Sequence, residues 1–242
     1  MEMSDIIKLS SANGTTTITI ERADEGNALT IDLLRDLAAA FRTAGKTEAK
    51  VIVLRTAGKQ FCIGRDPRGG SPSPNALAMR TNLITPILDV YDAISNAPQP
   101  VICAVQGAAL GLGCALATAC DMTIAADNAR FRLPELEKDL PPTLAISAMM
   151  KQTPRKALTW LVYSMDEIDA DNALRLGIVS QVAPAAELDA AVDRIVAVLT
   201  ARSRDALVAV KDYFRTAPGM DGRGAADLAG NMLATVFSSV AR

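Results

Sequence analysis

Residues 101 to 121 read Val-Ile-Cys-Ala-Val-Gln-Gly-Ala-Ala-Leu-Gly-Leu-Gly-Cys-Ala-Leu-Ala-Thr-Ala-Cys-Asp, and this stretch decides the fold. Val101 to Val105 is an unbroken apolar run of strand length, as expected for a strand buried on both faces. Gly107 to Ala119 is rich in glycine and alanine and predicts a helix opening near Gly111. Glycines just beyond a strand end lie where α/β sheets bind ligands. A helix opening there also offers unpaired backbone N–H groups and a favourable dipole.

The same grammar recurs upstream. Val51 to Leu54 is a second buried apolar run, and Gly58-Lys59-Gln60-Phe61-Cys62-Ile63-Gly64-Arg65-Asp66 follows it. Two such loops side by side aim two N–H donors at one oxygen, and each donor is worth roughly 3 to 4 kcal/mol of barrier. The glycines equally suit tight helix–strand packing, and spacing alone does not separate the two. A third segment, Phe131-Arg132-Leu133-Pro134-Glu135-Leu136-Glu137-Lys138-Asp139, carries three carboxylates after a short strand. Glu135 lies between Leu133 and Leu136, a setting that disfavours the charged form. A solvated acidic turn is the alternative.

The remaining pattern predicts a strand over Thr15–Ile20 from its β-branched alternation, then a polar loop from Glu21 to Asn27. Thr30 caps a helix running to about Ala44. Gly58 to Asn75 is a long loop, and Ala76 to Ser95 a helix that Pro86 kinks. Tyr91 falls on its apolar stripe and, like Trp160 and Tyr163, reads as core or interface. Strands follow at Met122–Ala125 and Ala129–Leu133, with Pro134 opening a short helix. Helices run from Thr153-Pro154 to Tyr163 and from Asp169 to before Gly177, then a strand over Ile178–Val182. Three helices follow Glu187, broken near Ser203 and at Pro218-Gly219. This predicts an α/β core over residues 1–182 and a helical region over 183–242.

Composition narrows the function. Of 242 residues 50% are hydrophobic and 21% charged, with net charge −2 and 4% aromatics. That balance disfavours nucleic-acid binding and anionic-membrane binding through bulk charge. No apolar run spans a membrane, and Met-Glu-Met-Ser-Asp is no secretory leader. Histidine is absent, which removes Ser-His-Asp and Cys-His catalysis, so acid–base work falls to carboxylates, Lys, Tyr or Cys. Cys62, Cys103, Cys114 and Cys120 form no CxxC pair and read as buried thiols of a reducing cytoplasm, with no metal site.

The 101–121 string resembles the crotonase (enoyl-CoA hydratase/isomerase) family. So do Asn27-Ala28-Leu29-Thr30, Phe61 to Asp66, Ala125 to Glu135 and Ala170 to Val182, in the same order and spacing. The resemblance implies a spiral of ββα units with a helical C-terminal region that packs homotrimers or homohexamers. It implies an acyl-CoA thioester substrate, with coenzyme A arriving as part of that substrate and no separate cofactor. It places the oxyanion-hole donors at the backbone N–H groups of Arg65 and Leu112, and the proton carrier at Glu135. Arg22, Ile63, Gly64, Asp66, Gly111 and Lys211 are the expected contacts to substrate or its CoA portion, with Lys59 and Arg68 as further basic candidates; a solvated surface charge is the alternative for Arg22, Lys59 and Arg68, and ordinary helix packing for Lys211.

Departures from the family pattern matter as much. Family hydratases carry a second Glu where this chain has Ala115, and alanine cannot deprotonate water. One carboxylate suits moving a single proton along an allylic system, so isomerisation leads and hydration with a substitute water-activating group follows. A non-catalytic acyl-CoA-binding subunit is the reading of another class. Asp139 stands where the family has Gly. If Pro134 opens a helical turn, Asp139 shares a face with Glu135 and offers a second acid–base group; pointing to solvent or pairing with an Arg is the alternative.

Overall fold

A computed structural model describes residues 4–69, 71 and 73–240, the side chains of 239 and 240 excepted. Gly70 and Pro72 of the long loop, and the first three residues of the N-terminal reading, lie outside the described residues.

The chain begins with a hairpin, β1 (Ile7–Ala12) against β2 (Thr15–Ile20), paired antiparallel from Ile7↔Ile20 to Ala12↔Thr15. Along β2 every second residue, Thr16, Ile18 and Ile20, is buried. The turn is Asn13-Gly14, both at positive φ (51° and 76°), the chemistry that favours a two-residue hairpin. Thr30 then caps α1 (Ile31–Gly45), its hydroxyl accepting from the Leu33 N–H at 3.3 Å. Leu33, Leu34, Leu37 and Phe41 of α1 are buried in the main core.

β3 (Val51–Thr56) adds parallel to β2, and the loop after it leads to α2 (Ala76–Met79). The single kinked helix expected over 76–95 is instead α2, a wide π turn at Arg80–Ile84, and α3 (Thr85–Asn96). Pro86 sits in the first turn of α3 and has no N–H for the α-ladder, so the irregularity falls just before it.

From β4 (Val101–Val105) the chain alternates between two sheets. It crosses to β5 (Ala108–Leu110), turns into α4 (Leu112–Ala119), returns on β6 (Met122–Ala126) and crosses again to β7 (Arg130–Arg132). Helices α5 (Thr143–Met149) and α6 (Arg155–Ser164) precede β8 (Ile168–Asp169), α7 (Ala170–Arg175) and β9 (Gln181–Ala183). The larger sheet has the order β1-β2-β3-β4-β6-β9, and β5-β7-β8 form the smaller one. This repeated ββα winding is the expected mixed α/β spiral.

The last strand starts later than the apolar run Ile178–Val182 predicts. Ile178 and Val179 are buried, but both N–H groups bond to the Ala173 carbonyl (2.9 and 3.3 Å) and close α7 instead of joining a ladder. A boundary at 182 therefore falls inside β9. Nor does the helical region stand apart. Leu188, Ala191 and Val192 of α8 (Leu188–Thr200) bury against Val51, Val53, Ile102, Ala104 and Ile124 on the second face of the large sheet. That cover explains why β3 and β4 are apolar on both sides. Beyond it, α9 (Arg204–Thr216) and α10 (Gly222–Val240) pack on each other and leave Val210, Phe214, Leu233 and Phe237 exposed.

Candidate active site

Three segments meet beyond the ends of β3, β4 and β6. The Cys62 N–H donates to Ala108 O (3.0 Å), and the Leu110 N–H donates to Cys62 O (2.9 Å), so the two glycine loops lie stitched side by side. Contact is close enough that a Cβ on Gly113 would sit 2.1 Å from Cys62 O. The Gly111 N–H donates to Arg132 O (2.8 Å) and brings in the third segment.

Side-chain amides set the shape of the first loop. Asn27 is fully buried; its Oδ1 accepts from the Arg22 N–H (3.0 Å), and its Nδ2 donates to Ala57 O (2.8 Å) and Gln60 O (2.7 Å). Gln60 Oε1 accepts from the Ala108 N–H (2.6 Å), and Gln106 Nε2 donates to Thr56 O (3.0 Å) and Gly58 O (3.1 Å). The Leu29 N–H bonds to Gly64 O (3.1 Å) and the Asp66 N–H to Leu29 O (2.9 Å), which turns the N–H of Arg65 away from Leu29. Among the described residues neither the Arg65 N–H nor the Leu112 N–H has an acceptor. Leu112 opens α4, where first-turn donors are unpaired by construction.

Glu135 closes the arrangement. A Cβ on Gly111, whose φ is +52°, would lie 2.8 Å from Glu135 Oε1. Glu135 Oε2 is buried without a partner among the described residues. Burial pushes this carboxyl above its ordinary range, only partly offset by its own backbone N–H. Ala115 is fully buried in α4 and supplies no second carboxylate. Unengaged N–H groups beside a carboxyl poised to hold or release a proton can polarise a carbonyl and move a proton at the neighbouring carbon.

Other predicted residues take different places. Asp66 is buried and held well below the usual carboxylate range, first by the Arg68 guanidinium (2.7 Å) and also by Arg22 (2.8 Å). Arg68 also reaches Glu25 (2.6 Å), so Arg22 and Arg68 are both committed to ion pairs. Ile63 is exposed at the rim, packed on Gly26, while Gly64 is buried. The Arg65 side chain is exposed, its nearest partner Asp66 O at 3.4 Å. Lys59 lines an open depression over the corners at Gly58–Gln60 and Gln106–Ala108.

Two expectations are corrected. Glu135–Lys138 is a 3₁₀ turn, with three residues per turn, so residues four apart do not share a face. Asp139 ends that turn in the left-handed region (φ 54°) and is exposed. Lys211 is 7% exposed and donates to Asp121 Oδ2 (2.8 Å), Ile94 O (2.9 Å) and Gln99 O (3.1 Å), so none of its protons is left for a ligand. Tyr91 lies in the main core, as its place on the apolar stripe of α3 predicts.

Residues 10–241 match the enoyl-CoA hydratase/isomerase family. The chain is 31% identical over 179 residues to a probable enoyl-CoA hydratase of Rhodobacter capsulatus (74% of this chain, 68% of that one). It is 30% identical over 194 residues to the short-chain-enoyl-CoA hydratase of Clostridium acetobutylicum (78% and 72%). An enoyl-CoA hydratase structure from Mycobacterium smegmatis superposes with a TM-score of 0.90 at 29% identity, covering 96% of this chain and 91% of that one. A putative enoyl-CoA hydratase from Thermobifida fusca, solved in complex with CoA, gives 0.89 at 26% identity (98% and 94%). The chain belongs to the enoyl-CoA hydratase/isomerase family.

Proposed function

We propose that this protein shifts the double bond of an enoyl-CoA. The thioester oxygen sits between the N–H groups of Arg65 and Leu112, the oxyanion hole. Glu135 takes a proton from Cα as the β,γ double bond moves to α,β, and returns it to Cγ. One proton leaves and one arrives, so one carboxyl is enough. The observation that carries this reading is the pairing of Glu135 Oε1 against Gly111 with the unengaged N–H of the next residue, while Ala115 leaves no second acid. A carboxyl lifted by burial is a better proton donor near neutrality than an ordinary one.

The CoA portion arrives with the substrate, in keeping with the CoA complex of the Thermobifida fusca relative. No separate cofactor takes part. A trimer or hexamer covers the apolar residues of α9 and α10. Four buried free thiols suit a reducing cytoplasm. The relatives' hydratase names support hydration as the second reading. The exposed Arg65 side chain and the placement of Glu135 tell against a non-catalytic binding subunit.

The test is incubation with 3-enoyl- and 2-enoyl-CoA panels. Conversion of 3-enoyl to 2-enoyl product with no 3-hydroxyacyl-CoA is expected. Accumulation of the 3-hydroxyacyl product overturns the isomerase preference.

A further inference from the structure

The peptide unit that carries the Arg65 N–H begins at Gly64, whose φ of 119° leaves the backbone free to turn. Its direction is set by what grips the chain on either side. Residues 63–66 run along residues 26–29. The Ile63 N–H donates to Gly26 O (3.1 Å), the Leu29 N–H to Gly64 O (3.1 Å) and the Asp66 N–H to Leu29 O (2.9 Å). The C=O and N–H of one trans peptide point opposite ways. With Gly64 O held by Leu29, the Arg65 N–H points away from that segment, and it has no acceptor among the described residues.

Beyond Asp66 this rail ends. From Pro67 to Thr85 none of the described residues is buried. What secures the end of the strip is the buried Asp66 carboxylate. Its Oδ1 accepts from the Arg68 N–H (2.9 Å) and Nε (3.0 Å), and its Oδ2 from Arg68 Nη2 (2.7 Å) and Arg22 Nη1 (2.8 Å). The same Arg22 Nη1 donates to Ala28 O, next to Leu29, and the Arg22 N–H donates to Asn27 Oδ1 (3.0 Å). One guanidinium thus joins Asp66 to the segment that holds Gly64 O. Both carboxylate oxygens are taken up by these donors, so Asp66 acts on the backbone beside it and not on a substrate.

We infer that Asp66 is a positioning residue: through Arg22 and Arg68 its carboxylate fixes the peptide unit of Arg65 so that this N–H converges with that of Leu112 on the thioester oxygen. The inference rests on the proposed oxyanion hole and extends it to the ion-pair network behind one donor. A misplacement of about 1 Å at such a group costs up to about 100-fold in rate.

The experiment is isotope-edited infrared spectroscopy of butyryl-CoA carrying ¹³C at the thioester carbonyl, bound to the wild-type protein and to D66N. The saturated chain has no double bond to move, so the readout does not depend on the reaction. In the wild type the carbonyl band is expected below its free frequency, because two donors polarise it. D66N should lose about half or more of that shift, and in the isomerisation assay kcat should fall about tenfold or more with KM little changed. A purely structural role would reduce the amount of folded protein, and so the band's amplitude, without moving its frequency. R22K keeps a charge beside Asp66 but lacks the planar fork that joins it to Ala28 O, so it should lose part of the shift and serves where D66N does not fold. A wild-type frequency in D66N, or in R22K where D66N does not fold, overturns the inference. An unshifted band in the wild type would instead bring down the oxyanion hole, and this inference with it.

Discussion

Asp66 and Glu135 are two carboxylates on neighbouring corners of one site, and their surroundings drive them in opposite directions. Asp66 ends the first glycine loop with guanidinium groups from Arg68 and Arg22 on its oxygens, which keep it charged. Glu135 is placed by a 3₁₀ turn against Gly111 with one oxygen unpartnered among the described residues, and burial favours its proton. The same functional group is a structural anchor in one place and, in the proposed reaction, the proton exchanger in the other. What separates them is whether cations of the chain reach them.

The largest effect should follow loss of the exchanger. E135Q is expected to lower turnover about 100- to 10,000-fold, measured by the isomerisation assay, while slightly raising thermal stability. The stability sign follows from linkage. A carboxyl whose folded pKa is raised favours folding below its unfolded pKa and loses that contribution as pH rises through the raised value. At neutral pH the charge is a cost, and glutamine removes it.

Gly113→Ala attacks the joint between the two loops. With Cys62 O 2.1 Å from the added carbon, the backbone of one loop must move. A loss of about 1–3 kcal/mol in denaturant unfolding is expected, together with most of the activity. Next comes the anchor. D66N should lower the melting temperature by several degrees at neutral pH and much less in acid. A depressed carboxylate contributes fully above its unfolded pKa and loses that contribution as pH falls through the folded value. Equal losses at both pH values would show that Asp66 acts through packing and not through charge.

The pH–rate profile sharpens the contrast further. Glu135 must be ionised to take a proton, so kcat/KM should rise with pH to a plateau, with its midpoint above the ordinary carboxylate range. A midpoint within that range would mean that substrate or water compensates for the burial. The smallest effect belongs to D139N. The side chain is exposed, and asparagine tolerates the left-handed backbone, so turnover should stay within about twofold.

Much of this was readable in the residues. Unbroken apolar runs at 51–54 and 101–105 announce strands covered on both faces, because only such strands tolerate apolar residues in succession. Glycines after them mark loops that must touch, and the contacts of Gly113 and Gly107 with Cys62 and Lys59 carbonyls supply the reason. The capping hydroxyl of Thr30 was equally plain. Other features left little local trace. β1 is an edge strand with one buried residue, Ile7, so it lacks alternation, although Asn13-Gly14 was its signal. A 3₁₀ turn and an α turn look alike over four residues, which is why Asp139 was misplaced beside Glu135. Lys211 is expected at a CoA site, and its structural role is hidden because its partners, Asp121, Ile94 and Gln99, are about 90 to 120 residues away in the chain.

Asp121 receives two donors on one oxygen, the Lys211 ammonium at 2.8 Å and the Val101 N–H at 2.7 Å. Helix α9 and the first residue of β4 therefore share one oxygen of Asp121. β4 runs on into Gly107 and the loop that ends at Leu112, so α9 is tied to the start of the strand whose far end leads into that loop. In the proposed trimer or hexamer, a subunit contact made by α9 would thus stand one ion pair away from the strand that leads toward the proposed Leu112 donor.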